Sequence, residues 1–394
     1  MPRSRTLVVA SAVGAAVLSL AACARGSGTT RNTAHSTTGA GTPTTAPARA
    51  SSSTPVRPPL ADTPVDIYAA DRPNALSDVV KHDRPLVYVP NSLSDTVDVI
   101  DPTTAQVVEH FAVGGLPQHV VPAWDLKTLY VTNDRGNSLT PIDPRNGRPG
   151  PPITVEDPYN MYFTPDGKYA IVVAERLQRL DFRDPHTFRL VKSVPVDCLG
   201  IDHLDFSADG RYLIASCEFA GKVLKLDVRN QTVIGTFLLN GGNAKPQDVK
   251  LDPTGRVFYV ADMDRGGVYT IDGDTFTSTG FIPTGAGAHG LYVSRDSRVL
   301  YVTNRNAGTI SLLDLATNTV TRTWSIPGSS PDMGGISADG KVLWLSGRYS
   351  GVVYAIDTTT GALLHETRVG SGPHGLCVFP QPGRYSIGHT GVLR

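Results

Sequence analysis

The chain has 394 residues, with 36 Lys+Arg balanced by 36 Asp+Glu and a hydrophobic fraction of 40%. A neutral balance leaves no basic field to hold a phosphate backbone, which argues against a nucleic-acid partner. The 39 glycines and 30 prolines fall mostly in one amino-terminal stretch and in turns.

Arg3 and Arg5 precede an apolar run over residues 7–20, which ends in Leu20-Ala-Ala-Cys23. A positive start, a short apolar core and small residues before a cut make a secretory signal, and the run is too short for a spanning helix. Leu-Ala-Ala-Cys resembles the bacterial lipobox, in which the cysteine becomes the lipidated first residue. The resemblance implies a signal over residues 1–22, lipidation of Cys23, and export to the outer face of the cell membrane, with membrane contact through acyl chains alone. Residues 24–64 are mostly Thr, Ser, Ala, Pro and Gly. Such a stretch cannot bury enough apolar surface to offset its ordering entropy, so residues 23–65 are expected to be a flexible tether.

Residues 66–394 are repetitive. Val87-Tyr-Val-Pro-Asn91, Leu129-Tyr-Val-Thr-Asn133, Ala170-Ile-Val-Val-Ala174, Leu213-Ile-Ala-Ser-Cys217, Phe258-Tyr-Val-Ala-Asp262, Leu300-Tyr-Val-Thr-Asn304 and Leu343-Trp-Leu-Ser-Gly347 end 42, 41, 43, 45, 42 and 43 positions apart. A period in the forties made of strand patterns predicts an all-β fold, a β-propeller with four-stranded antiparallel blades. Hairpin turns such as Pro165-Asp-Gly-Lys168 and Ala338-Asp-Gly-Lys341 separate each first strand from the second. Asp101, Asp143, Asp181, Asp227, Asp272, Asp314 and Asp357 end the third strands, where an Asp is expected to accept hydrogen bonds from its own turn rather than to bind a metal. The first repeat lacks a first strand. Counting Gly375-Leu-Cys-Val-Phe379 as the missing one gives seven blades, with the ring closed by that late strand joining the blade begun at Val87.

Tyr130-Val-Thr-Asn133 and Tyr301-Val-Thr-Asn304, with recurring Asp-Gly and Pro-His-Gly elements, resemble the YVTN-repeat β-propellers over residues 86–379. That resemblance implies a seven-bladed propeller of bacterial envelopes. Related propellers include lactonases, streptogramin lyases and haem-bearing domains, so the fold names no reaction.

In a propeller the inner strands all start at one end of the central channel. Those starts carry His119, Tyr159-Asn160, Asp202, His203, Asp248, His289, Asp332 and His374. Asn91, Asn133, Asp262 and Asn304 end second strands and are expected nearby. The seven histidines and aspartates His119, Asp202, His203, Asp248, His289, Asp332 and His374 are the candidate ligand-binding residues at the channel mouth. Such groups are solvated or bonded to loop backbone in the plainest case; they also suit a small polar ligand, and then a divalent metal. Gly285-Ala-Gly-Ala-His-Gly290 opens a strand rather than a helix and is no dinucleotide site. Asp262-Met-Asp-Arg-Gly-Gly267 has Gly273 where a calcium loop needs glutamate. No nucleophile, zinc-protease or phosphate-loop motif occurs, so no residue is assigned as catalytic.

Cys198 and Cys217 flank the first two strands of one blade, and an oxidising compartment makes them the disulfide candidates. Cys377 is expected in the core. Residues 383–394 are surplus to the ring, resemble a tail on some actinobacterial members, and are expected to be structural, although His389 and Arg384 could join a site. The expectation is therefore a membrane-tethered, non-enzymatic binding or scaffold module for an envelope protein or a small polar ligand, with no cofactor required. The alternative is a lactonase-like or lyase-like enzyme that holds a divalent metal in the His/Asp ring.

Overall fold

The computed structural model describes residues 66–394; the signal segment, Cys23 and the tether lie outside the described residues. Seven antiparallel sheets follow one another in chain order, each a blade whose strands run from the channel outward. The repeated phrase is the second strand of each blade. Leu129–Asn133 and Leu343 to Gly347 within Val342–Gly347 are buried throughout, because a second strand has a blade against each face. That is why the phrase reads as an apolar run instead of an alternation. Val97 and Val99 of the first blade, for example, pack with Val120, Val131 and Ile142 of the next. Fourth strands such as Gln106–Ala112 lie at the rim and are mostly exposed.

Cys377–Phe379 pairs antiparallel with Leu86–Asn91, Cys377 opposite Tyr88 and Phe379 opposite Leu86. Both chain ends thus build the first blade, and the ring has no open inner edge. In the second blade the fourth strand is split into Arg148–Pro149 and Ile153–Thr154, which both pair with Ser138–Asp143, because Pro149, Pro151 and Pro152 cannot donate to a continuous ladder.

Six of the seven third-strand aspartates hold their turns as expected. Asp101, Asp143, Asp227, Asp272, Asp314 and Asp357 each accept a backbone N–H two or three residues ahead. Asp181 does not. Asp184 follows Ala174 by the same ten positions that separate Asn133 from Asp143, so Asp184 takes the turn, and Asp181, three residues earlier, is buried between Arg179 and Arg183. Cys198 and Cys217 form a disulfide across a separation of 19 residues, and Cys377 is buried and free.

One irregularity shapes the channel. The inner strands Pro117–Pro122, Ile201–Phe206, Ala288–Val293 and Pro331–Ile336 each shift register close to their start. Such a bulge turns a side chain and removes a backbone N–H from the ladder. The hydroxyl in the fourth position of the repeated phrase receives that N–H: His119 donates to Thr132 at 3.1 Å, His203 to Ser216 at 3.1 Å, Gly290 to Thr303 at 2.8 Å and Met333 to Ser346 at 3.2 Å. The Thr or Ser of the phrase is therefore part of what aims the inner-strand side chains.

Residues 66–85 and the tail cover the opposite end of the channel, where the inner strands finish. Tyr68 donates to the Leu251 carbonyl at 2.8 Å and Asn74 N–H to that of Ala338 at 2.8 Å. In the tail, Ser386 donates to the Pro122 carbonyl, Phe163 N–H donates to Ile387, and the Arg394 guanidinium binds Asp205 at 2.6 Å and the Phe206 carbonyl at 3.0 Å. Gly388 sits at φ +95°, and a Cβ there would lie 2.4 Å from the Met161 carbonyl oxygen. The tail can pass this close to the third blade only with glycine at that position.

Candidate functional site

The four inner-strand histidines converge. Ring centroids lie 5.0 Å apart for His119 and His374, 5.4 Å for His119 and His203, 6.2 Å for His203 and His289, and 6.0 Å for His289 and His374. Gly375, last of the Pro-His-Gly element, makes room: a Cβ there would lie 2.1 Å from His119 Cδ2. A fifth imidazole, His389, enters from the tail, 4.7 Å from the His203 ring and 5.5 Å from that of His119, stacked on Tyr162. All five are at most 3% exposed, so the ring is enclosed rather than an open mouth.

The candidate aspartates join the same centre. Asp202 Oδ1 is 3.3 Å from His203 Nε2, Asp248 Oδ1 is 3.5 Å from His389 Nε2, and Asp332 lies 3.3 Å from His289 Nδ1 and 3.6 Å from His374 Nε2. Asp248 also accepts the N–H groups of Val249 and Leu291, stitching its blade to the next. Asn91, Asn133 and Asn304 do not face the centre. Each amide donates to the third strand of its own blade, as Asn133 does to Ser138 and Thr140; Asp262 instead caps its loop through Lys245 and Asp264 N–H.

Burial pushes all five imidazoles well below the ordinary histidine range, so they are neutral at pH 7. His119 Nδ1 lies 3.0 Å from the Tyr159 carbonyl and must donate to it, which leaves a lone pair on Nε2. The Asn160 amide, its oxygen fixed by Met161 N–H, reaches Nδ1 of both His203 (3.1 Å) and His389 (3.0 Å). Nε2 of His119, His203 and His389 makes no hydrogen bond, nor does Nδ1 of His289 and His374. So many buried polar atoms without partners in one place call for a ligand or ordered water. Two sets can each bring three ligand atoms within 4.8 Å of one another: His119, His203 and His389, and His289, Asp332 and His374.

The residue just after each repeated phrase sets the surrounding charge. On the second to fourth blades it is Asp134, Glu175 and Glu218; on the sixth and seventh it is Arg305 and Arg348. Burial raises the Asp202 carboxyl well above the usual range, and the charges of Glu218 and Glu175 add to the effect. On the other side Arg305 donates to Asp332 Oδ1 through Nε at 2.8 Å and through Nη2. Burial raises Asp332 while Arg305 and Arg348 hold it down. His389, Arg305 and Arg348 were not legible as site residues from the inner-strand starts; the position following the phrase was the signal for the two arginines. Arg384 is exposed and outside the centre.

A YNCE-like beta-propeller family model matches residues 72–384. No curated protein matches the chain. Among solved structures the chain is similar to Kuenenia stuttgartiensis hydrazine synthase, at 18% identity and TM-score 0.61, covering 72% of this chain and 97% of that one. It is similar to a functionally unknown protein from Desulfotomaculum acetoxidans, at 14% identity and TM-score 0.63, with 74% and 98% covered. A proposed 6-phosphogluconolactonase from Bacteroides uniformis aligns at 18% identity and TM-score 0.59, over 74% of this chain and 99% of that one. At these identities the likeness shows the fold alone.

Proposed function

We propose a function for a chain that belongs to the YNCE-like β-propeller family: it is an exported propeller, tethered to the outer face of the cell membrane through lipid on Cys23, that binds a small polar ligand or ion at the centre of its channel. The observation that carries this reading is the convergence of five buried neutral imidazoles, each with one nitrogen that makes no hydrogen bond, and three aspartates, of which Asp202 and Asp332 also present unpartnered oxygens. Leu20-Ala-Ala-Cys23 and the tether composition support the location. Binding is favoured over lactone or lyase chemistry because rings at most 3% exposed leave an extended substrate no approach to them in this conformation.

Thermal unfolding of the purified chain with zinc chloride, sodium acetate or sodium phosphate tests the channel, alongside a variant with Gln at His119, His203, His289 and His374. A channel ligand raises the midpoint of the wild type and not of the variant. Equal shifts in both place binding on the rim. Cys23→Ala should move the protein from the membrane fraction to the soluble one.

A further inference from the structure

We infer that the channel binds one transition-metal ion of the zinc or copper class through His119, His203 and His389, and that the C-terminal tail completes the ligand set. This rests on the channel-binding reading above and names its ligand. Three imidazole nitrogens within 4.8 Å of one another match the donor type that zinc and copper prefer and calcium or magnesium do not; the His119 lone pair is free on Nε2, while His203 and His389 hold theirs on Nδ1 toward the Asn160 amide, which the metal displaces. Bonds of about 2.0–2.1 Å to the metal would place the nitrogens roughly 3.3 Å apart, so uptake draws the rings inward. The rings are positioned independently: His119 by the Tyr159 carbonyl and Thr132, His203 by Ser216, and His389 by Tyr162 stacking.

Charge selects this group over its neighbour. Asp202 and Asp248 lie beside His203 and His389, with Glu175 and Glu218 behind Asp202 and the buried Lys250 as the opposing cation. The group of His289, Asp332 and His374 already has its carboxylate bound by Arg305, with Arg348 near; a second metal ion there would meet two guanidiniums. The first two ligands sit on blades, whereas His389 lies in a segment anchored at the far end of the channel by Arg394 and Ser386. A metal bound to all three therefore staples the carboxyl end to the second and fourth blades, and metal binding and tail docking stabilise each other.

The full chain, stripped with a chelator, is titrated with Co2+ followed by visible absorption and then displaced with Zn2+. The expected result is one ion per chain. His119→Ala, His203→Ala and His389→Ala should each weaken it by about 100-fold or more, whereas His289→Ala and His374→Ala should change it by less than about three-fold. Zn2+ should slow carboxypeptidase digestion of the tail about ten-fold or more in the wild type and not in His203→Ala, whose substitution lies outside the tail. No uptake of either ion overturns the inference, while protection by acetate or phosphate would leave channel binding standing. Two ions, one lost in His289→Ala, or digestion indifferent to Zn2+, also overturn it.

Discussion

On the side of the second to fourth blades, His203 and His389 have the carboxyl groups of Asp202 and Asp248 for neighbours. On the side of the sixth and seventh blades, His289 and His374 share Asp332 with Arg305 and lie near Arg348. The bulge and its hydroxyl recur on both sides, at His203 with Ser216 and at Gly290 with Thr303. Geometry is thus common to these blades, and the two sides differ in the charged residues at the inner-strand starts and just beyond the repeated phrase. The scaffold can be copied blade by blade while the chemistry is varied in the residues that follow it.

The largest effect is expected from Arg305→Met, which leaves the Asp332 carboxylate buried without its partner. It should cost about 3–5 kcal/mol in denaturant unfolding and should let His289, Asp332 and His374 take up a second Co2+ ion. Unchanged stability and one ion per chain would mean that Arg305 is not what separates the two sides.

A smaller effect, with a defined pH dependence, belongs to the acidic side. Burial and the charges of Asp134, Glu218 and Asp157 push Glu175 up to about 7, above the value of about 4.3 for an unfolded chain. The native state therefore holds the proton more tightly, and the wild type loses stability as pH rises from about 4.3 through 7. Glu175→Gln should match the wild type at pH 4 and exceed it by about 1 kcal/mol at pH 8, a figure reduced for the partial exposure of the group. A gain at pH 4 that disappears at pH 8 would reverse the assigned sign.

The smallest effect separates aim from fold. Ser216→Ala and Thr303→Ala each remove one buried hydroxyl and should each cost about 1–2 kcal/mol in unfolding. Only Ser216→Ala, which frees His203, should weaken Co2+ binding, by about ten-fold. Equal losses of affinity would make the hydroxyls mere stability elements.

Much of this was legible because strand patterns repeat. The spacing of the seven phrases predicts the blades, and the missing first strand predicts that the late strand ending at Phe379 joins the blade begun at Val87, as it does, with Cys377 opposite Tyr88. The inner-strand starts were readable as a ring because propeller topology brings them to one end of the channel; His119, His203, His289 and His374 do meet. His389 could be named as a residue able to join a site, but not placed in the ring, since the tail has no counterpart in any repeat to give it a register. Asp181 was misassigned because it sits in a Leu-Asp pair like the turn aspartates of other blades, whereas the turn residue is Asp184, ten positions after Ala174 as Asp143 is after Asn133. Asn133 was placed near the ring from the end of its strand, but the amide donates to hydroxyls on Ser138 and Thr140, which only the pairing with the third strand shows.

The most direct measurement is anomalous scattering from crystals of the full chain loaded with Zn2+, collected on both sides of the zinc edge. One peak bounded by His119, His203 and His389, with none between His289, Asp332 and His374, is the predicted result. Peaks confined to the rim, or no peak in the channel, would contradict the assignment of the acid-flanked side as the binding centre.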